Sequence, residues 1–254
     1  PAAANGIWGF KPSQGLIDDT GVHPLAPTYD VSGPMARDFA LLHRLTAIMA
    51  DDPLAVPAPE TLRIAVPTGA FTNLMSDEVA ALFEAEKTRI EGLGHTLVPV
   101  EMDDIGAAIT LNRIIVAVEA HRIYGKDLDR LEKVGDPRVL SRIRFAETLS
   151  AEEIDAAYAR RAEIVARFAE AMEGFDALLA PTLMRLPPSI AEVEADFDRL
   201  NVEMLRNTSL VNLIDGCAIA MPTPALTPRY SMTMLVGPRG SDARLFAIAD
   251  TLSV

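Results

Sequence analysis

PAAANGIWGFKPSQG, residues 1–15, is apolar and spaced by glycines, the composition of a segment from the middle of a fold. Glycines at 6, 9, 15, 21 and 33 and prolines at 1, 12, 24, 27 and 34 punctuate residues 1–34. Such punctuation predicts loops with short strands and no helix. On an extended segment Lys11 and Ser13, two apart, share a face.

From Pro34 the pattern turns helical, with Met35, Phe39, Leu42 and Leu45 recurring at spacings of three and four. A proline-rich connector at 52–59 precedes a strand at 62–66 that Pro67 is expected to end. Ser76, followed by Asp77 and Glu78, caps a helix reaching about residue 93, and a second strand occupies 95–100. Helices are expected near 105–124 and 150–173, the latter opened by a Ser150/Glu153 capping box. A buried strand at 176–181, a polar helix at 194–213, strands at 217–221 and 231–236 and a closing helix from Ser241 complete the chain. This alternation predicts an α/β fold: a mixed sheet flanked by helices on both sides, as one domain over residues 1–254.

The bulk composition narrows the partners. The chain has 254 residues, 49% hydrophobic and 23% charged, which suits a globular domain with a substantial core. Its net charge of −13 repels phosphate backbones and anionic lipid, so neither nucleic acid nor membrane is an expected partner. The one cysteine, Cys217, lies in an apolar run and reads as a buried structural thiol. No apolar run approaches the ~20 residues of a membrane helix, and a cytoplasmic location is expected.

Motifs for chemistry are sparse. His23, His43, His95 and His121 are widely spaced, and no His-Glu-x-x-His occurs, so no metal site is expected. No phosphate-binding loop is present, and Gly92-Leu93-Gly94 lacks the third glycine of a dinucleotide turn. Ser13 has Lys11 where a nucleophile elbow needs glycine. No Ser-x-x-Lys occurs, and the lysines are Lys11, Lys87, Lys126 and Lys133.

One resemblance organises these observations. Gly6-Ile7-Trp8-Gly9-Phe10-Lys11-Pro12-Ser13-x-Gly15, then Gly21-Val22-x-Pro24-Leu25-Ala26-Pro27, then Tyr29-Asp30-x-x-Gly33-Pro34-Met35-Ala36-Arg37 resembles the amidase signature family. Asp176-x-Leu178-Leu179-x-Pro181-Thr182, Thr208-x-x-x-Asn212-Leu213 with Pro222, and Leu235-Val236-Gly237-Pro238-Arg239-Gly240 continue the likeness over nearly the full chain, weakest between about 70 and 135. The resemblance implies hydrolysis of a small-molecule carboxamide by a serine nucleophile, a second serine and a lysine, without metal or organic cofactor. The family's lysine, bridging serine and Gly-Gly-Ser nucleophile turn precede the segment that begins here, so no catalytic residue is expected in this chain. On that reading the chain is the family's C-terminal two-thirds, truncated at the N-terminus and inactive alone, and Lys11 matches the family's own downstream Gly-Phe-Lys-Pro.

The pocket wall is what the resemblance carries over. Val202, Leu205 and Ser209, spaced three and four, are the positions that would face an acyl group, with core packing as the alternative. Leu205 stands where glutamine-using relatives tend to be acidic, which argues against a tRNA-linked amidotransferase subunit. Arg142 is either a carboxylate grip or a surface arginine, Arg239 lies in a pocket-lining turn, and Tyr29 and Asp30 sit in a turn near the site mouth. Two other readings stand beside the amidase: a non-catalytic binding or assembly piece, and a ligand-binding α/β domain without chemistry. Uncovered edges and apolar faces would favour a homo-oligomer, and the isolated chain is expected to aggregate or melt low.

Overall fold

The computed structural model describes residues 1–222 and 233–253. Strands β1 (Trp8–Lys11) and β2 (Met35–Ala36) precede helix α1 (Phe39–Ala50). Then follow β3 (Arg63–Thr68), α2 (Asp77–Gly92), β4 (Thr96–Glu101), α3 (Asp103–Ala107), α4 (Thr110–Tyr124), α5 (Leu128–Val134), α6 (Pro137–Arg144) and α7 (Ala151–Ala171). The last part holds β5 (Ala177–Pro181), α8 (Ile190–Ala195), α9 (Phe197–Leu213), β6 (Cys217–Met221), β7 (Thr233–Gly237) and α10 (Asp242–Leu252). The seven strands form one mixed sheet in the order β2-β1-β6-β7-β5-β3-β4. β3 runs parallel to both β4 and β5, whereas every pairing from β5 through β7, β6 and β1 to β2 is antiparallel.

Strand periodicity explains the two helical layers. Ile64 and Val66, Leu179, Cys217 and Ile219, and Leu235 point to one face, where they pack with Leu42 of α1, Phe83 of α2 and Phe246 of α10. Their neighbours Ala65, Leu178 and Ala180, Ala218, and Met234 and Val236 point to the other, against Ile164 and Phe168 of α7 and Leu210 of α9. Both faces are apolar, so both must be covered, and the α/β layering follows. The expected mixed sheet with helices on each side is what forms.

Several local expectations change. Residues 35–36 pair with Trp8 and Gly9 instead of opening the helix, which starts at Phe39 after the Asp38 side chain accepts the Leu41 N–H. β3 continues through Pro67 to Thr68. Its register with β5 covers only Ile64 and Ala65, so Pro67 lies where β4 is the sole neighbour and a missing N–H is tolerated. The helix expected at 105–124 is interrupted between α3 and α4, and the one at 194–213 is broken at Asp196, whose extended φ of −149° separates α8 from α9. The last expected strand appears as β7, and residues 231–232 of that expectation lie outside the described residues. The Ser76 cap and the Ser150/Glu153 capping box form as expected.

Gly33 fixes how the opening segment crosses the sheet edge. A Cβ there would run into the Phe10 carbonyl oxygen and stand 3.0 Å from Pro12 Cδ. The same crossing is tied by the Phe10 N–H, which donates to the Pro34 carbonyl at 3.1 Å. Gly33→Ala is therefore expected to cost about 1–3 kcal/mol through backbone displacement, read as a lower urea midpoint at unchanged slope.

Candidate active site

The opening segment is locked by polar contacts that cross the whole chain. Lys11, on β1, donates from Nζ to the Gly216 carbonyl at 2.7 Å and the Pro12 carbonyl at 3.2 Å. Burial lowers its pKa, and the nearby Cys217, Asp215 and Asp242 oppose that shift. Ser13 is buried: its N–H donates to Asp242 Oδ1 at 2.8 Å, and its Oγ accepts the Gly240 N–H at 2.7 Å. Both side chains are thereby committed to holding β1 against the β6, β7 and α10 connections. This is the work of a scaffold rather than of a nucleophile and base.

Beside this scaffold lies a cavity of about 290 Å³. Phe10 and Lys11 of β1, Val31, Met35, Thr182 and Leu183 after β5, and Met204, Leu205, Thr208, Val211 and Asn212 of α9 line it, with Ala218, Ala220 and Met234 as its floor. The wall is mostly apolar on α9, whose inward stripe carries Met204, Leu205 and Val211 beside Thr208 and Asn212. Asn207, one residue away from that stripe, is buried and donates from Nδ2 to the carbonyls of Phe71 at 3.0 Å and Pro181 at 2.6 Å. That pair of hydrogen bonds fixes the helix over the end of β5.

The expected site residues separate into groups. Leu205 lines the cavity, while Val202 is 65% exposed and Ser209 is absent from the wall. The Ser209 carbonyl instead accepts Asn112 Nδ2 at 2.7 Å, tying α9 to α4. Arg239 clamps the opening segment, donating to the Gln14 carbonyl at 2.8 Å and to Asp215 at 3.3 Å. Arg142 is exposed on α6 and does not line the cavity.

Tyr29 and Asp30 line a second, neighbouring pocket of about 440 Å³ with Gln14, His23 and Ser32. Val31 lines both pockets. Asp30 Oδ2 accepts the N–H groups of Leu25 at 2.7 Å and Ala26 at 2.9 Å, which closes the turn. The Arg161 guanidinium stacks 4.9 Å over the Tyr29 ring, and burial pushes that phenol above its ordinary range.

Residues that the sequence reading missed include Met35, Met204, Thr208 and Asn212 in the wall, and a buried carboxylate, Glu119. Glu119 accepts the Thr28 N–H at 2.9 Å and the Tyr158 hydroxyl at 2.8 Å, which binds the turn at 26–30 to α4 and α7. Burial, followed by the hydrogen bond to Glu119, pushes the Tyr158 hydroxyl up to about 12. The 204–208–211 spacing was a usable signal for the wall. Nothing local marked Glu119, whose partners lie 91 and 39 residues away.

The amidase family's sequence profile matches residues 1–246. The chain belongs to the amidase family. Over 98% of its length it is 28% identical to 2-amino-5-chloromuconic acid deaminase of Comamonas testosteroni, covering 56% of that protein. Over 41% of its length it is 35% identical to mandelamide hydrolase of Pseudomonas putida, covering 21% of that protein. Its fold matches a crystal structure of an amidase with a TM-score of 0.87 at 24% identity, covering all of this chain and 59% of that one. The chain thus spans a little over half of the relatives that it matches along nearly its whole length.

Proposed function

We propose that this chain is the acyl-pocket and scaffold portion of an amidase that cleaves a carboxamide C–N bond to a carboxylic acid and ammonia or an amine. The observation that carries the reading is the amidase family match over residues 1–246, in a chain whose opening segment and α9 enclose an apolar cavity. In the proposed reaction a neutral lysine relays a proton through a second serine, and the nucleophilic serine attacks the amide carbonyl. Backbone N–H groups hold the oxyanion, the amine leaves protonated, and water releases the acid. The three triad residues are proposed to lie upstream of Pro1. Leu205 is the wall position, and Tyr29 and Asp30 shape the neighbouring mouth. Lys11, Ser13 and Arg239 hold these parts in register, and Val202, Ser209 and Arg142 carry no proposed contact.

The test is expression of the reading frame extended upstream of Pro1 beside the 254-residue chain. The extended protein is expected to hydrolyse members of a broad amide panel and to be labelled by a fluorophosphonate probe. The short chain is expected to do neither. Inactivity of the extended protein across the panel overturns the amidase reading, and labelling of the short chain at a mapped serine overturns the upstream triad.

A further inference from the structure

We infer that the cavity selects carboxamides whose acyl group carries no cationic group and is apolar, aryl or branched aliphatic, with Met35, Met204 and Leu205 as the selecting contacts. This rests on the amidase reading for the reaction and adds the class of substrate. Among the described residues, the wall contains one ionisable side chain, Lys11, and no Asp, Glu, Arg or His. The Lys11 amine donates to the Gly216 and Pro12 carbonyls, and burial outweighs the favourable field of Cys217, Asp215 and Asp242. An acyl group bearing an ammonium would lose its water there without gaining a counter-ion, which is strongly unfavourable.

The wall supplies apolar contact in place of charge. Met35 and Met204 are unbranched and polarisable, so they can settle against an aromatic face or an aliphatic branch. Leu205 is 47% exposed, a large apolar side chain at the cavity rim. For polar atoms of the ligand the wall also offers the Asn212 side-chain amide and one hydroxyl. Thr208 Oγ1 is engaged by the Leu205 carbonyl, whereas Thr182 Oγ1 is buried and has no hydrogen-bond partner among the described residues. Thr182 therefore meets a single neutral polar group, such as the amide itself or a hydroxyl beside it.

The test uses phenylacetamide and L-glutamine as probes on the 254-residue chain carrying ¹³C-methyl methionine. The Met35 and Met204 methyl resonances, assigned by Met→Leu substitution, are expected to shift saturably with phenylacetamide and to stay in place with glutamine. Leu205→Glu, at a half-exposed position that leaves the core intact, is expected to weaken the phenylacetamide response at least about tenfold. No saturable shift with phenylacetamide, or an equal response to glutamine, overturns the inference. On the extended protein, kcat/KM is expected to favour phenylacetamide over glutamine at least about tenfold. A preference for glutamine refutes the selectivity alone, and failure to turn over any amide refutes the reaction itself.

Discussion

Replacing Asn207 by alanine is expected to lower the free energy of unfolding by about 3–5 kcal/mol. The side chain is 1% exposed, and its amide donates to two backbone carbonyls, of Phe71 and Pro181. Each carbonyl left buried without a donor costs about 1–3 kcal/mol, and the vacated volume adds to that. The loss is concentrated beside the cavity, because Pro181 immediately precedes Thr182 and Leu183 in its wall. Asn207→Asp keeps the size but removes both donors and points a carboxylate at two carbonyl oxygens, so it is expected to destabilise at least as much. Urea unfolding measures both variants, and a loss below about 1 kcal/mol for alanine would show that water replaces the lost donors.

The second large effect is an alkaline weakness centred on Cys217. Burial pushes this thiol up from an ordinary value of 9.0 to about 12, and Asp242 adds to the shift. Its Sγ–H group donates towards the Pro238 carbonyl at 3.5 Å and the Gly237 carbonyl at 3.8 Å, contacts that a thiolate cannot make. The folded pKa is raised above the unfolded one, so the stability tied to the neutral thiol is intact below about pH 9. It is lost as pH rises from there towards 12, where the unfolded chain has already given up its proton. Between about pH 8 and pH 11 the loss from this group is about 2–3 kcal/mol. Cys217→Ala isolates it: the variant should be less stable than the parent near pH 8 and should regain about that amount relative to the parent near pH 11. Parallel pH profiles for parent and variant would count against the assignment.

How much was legible can be judged residue by residue. β5 and β6 were readable because short apolar runs bounded by Gly or Pro have few alternatives, and α7 announced itself through Ser150 and Glu153. The ends of other elements were not readable. Met35 continues a helical spacing, yet two backbone pairings with β1 hold it in a strand, and the break at Asp196 lies inside a stretch with continuous helical periodicity. The cavity position of Leu205 followed from the family's motif, but Val202 and Ser209 did not follow with it. On α9 the wall positions 204, 205, 208, 211 and 212 span about 120° of the helix face, and Val202 and Ser209 fall beyond the edge of that arc.

A helix-covered mixed sheet of the amidase family was readable from the residues alone, since hydrophobic period and ordered motifs are local properties of the chain. Long-range packing settled which apolar side chains become cavity wall and which become core. It also decided that Lys11 and Ser13 are spent on Gly216, Asp242 and Gly240, and that Glu119 anchors the turn beside Tyr29. Those outcomes depend on contacts between residues up to 229 apart, and no local pattern records which distant carbonyl or carboxylate a side chain will meet.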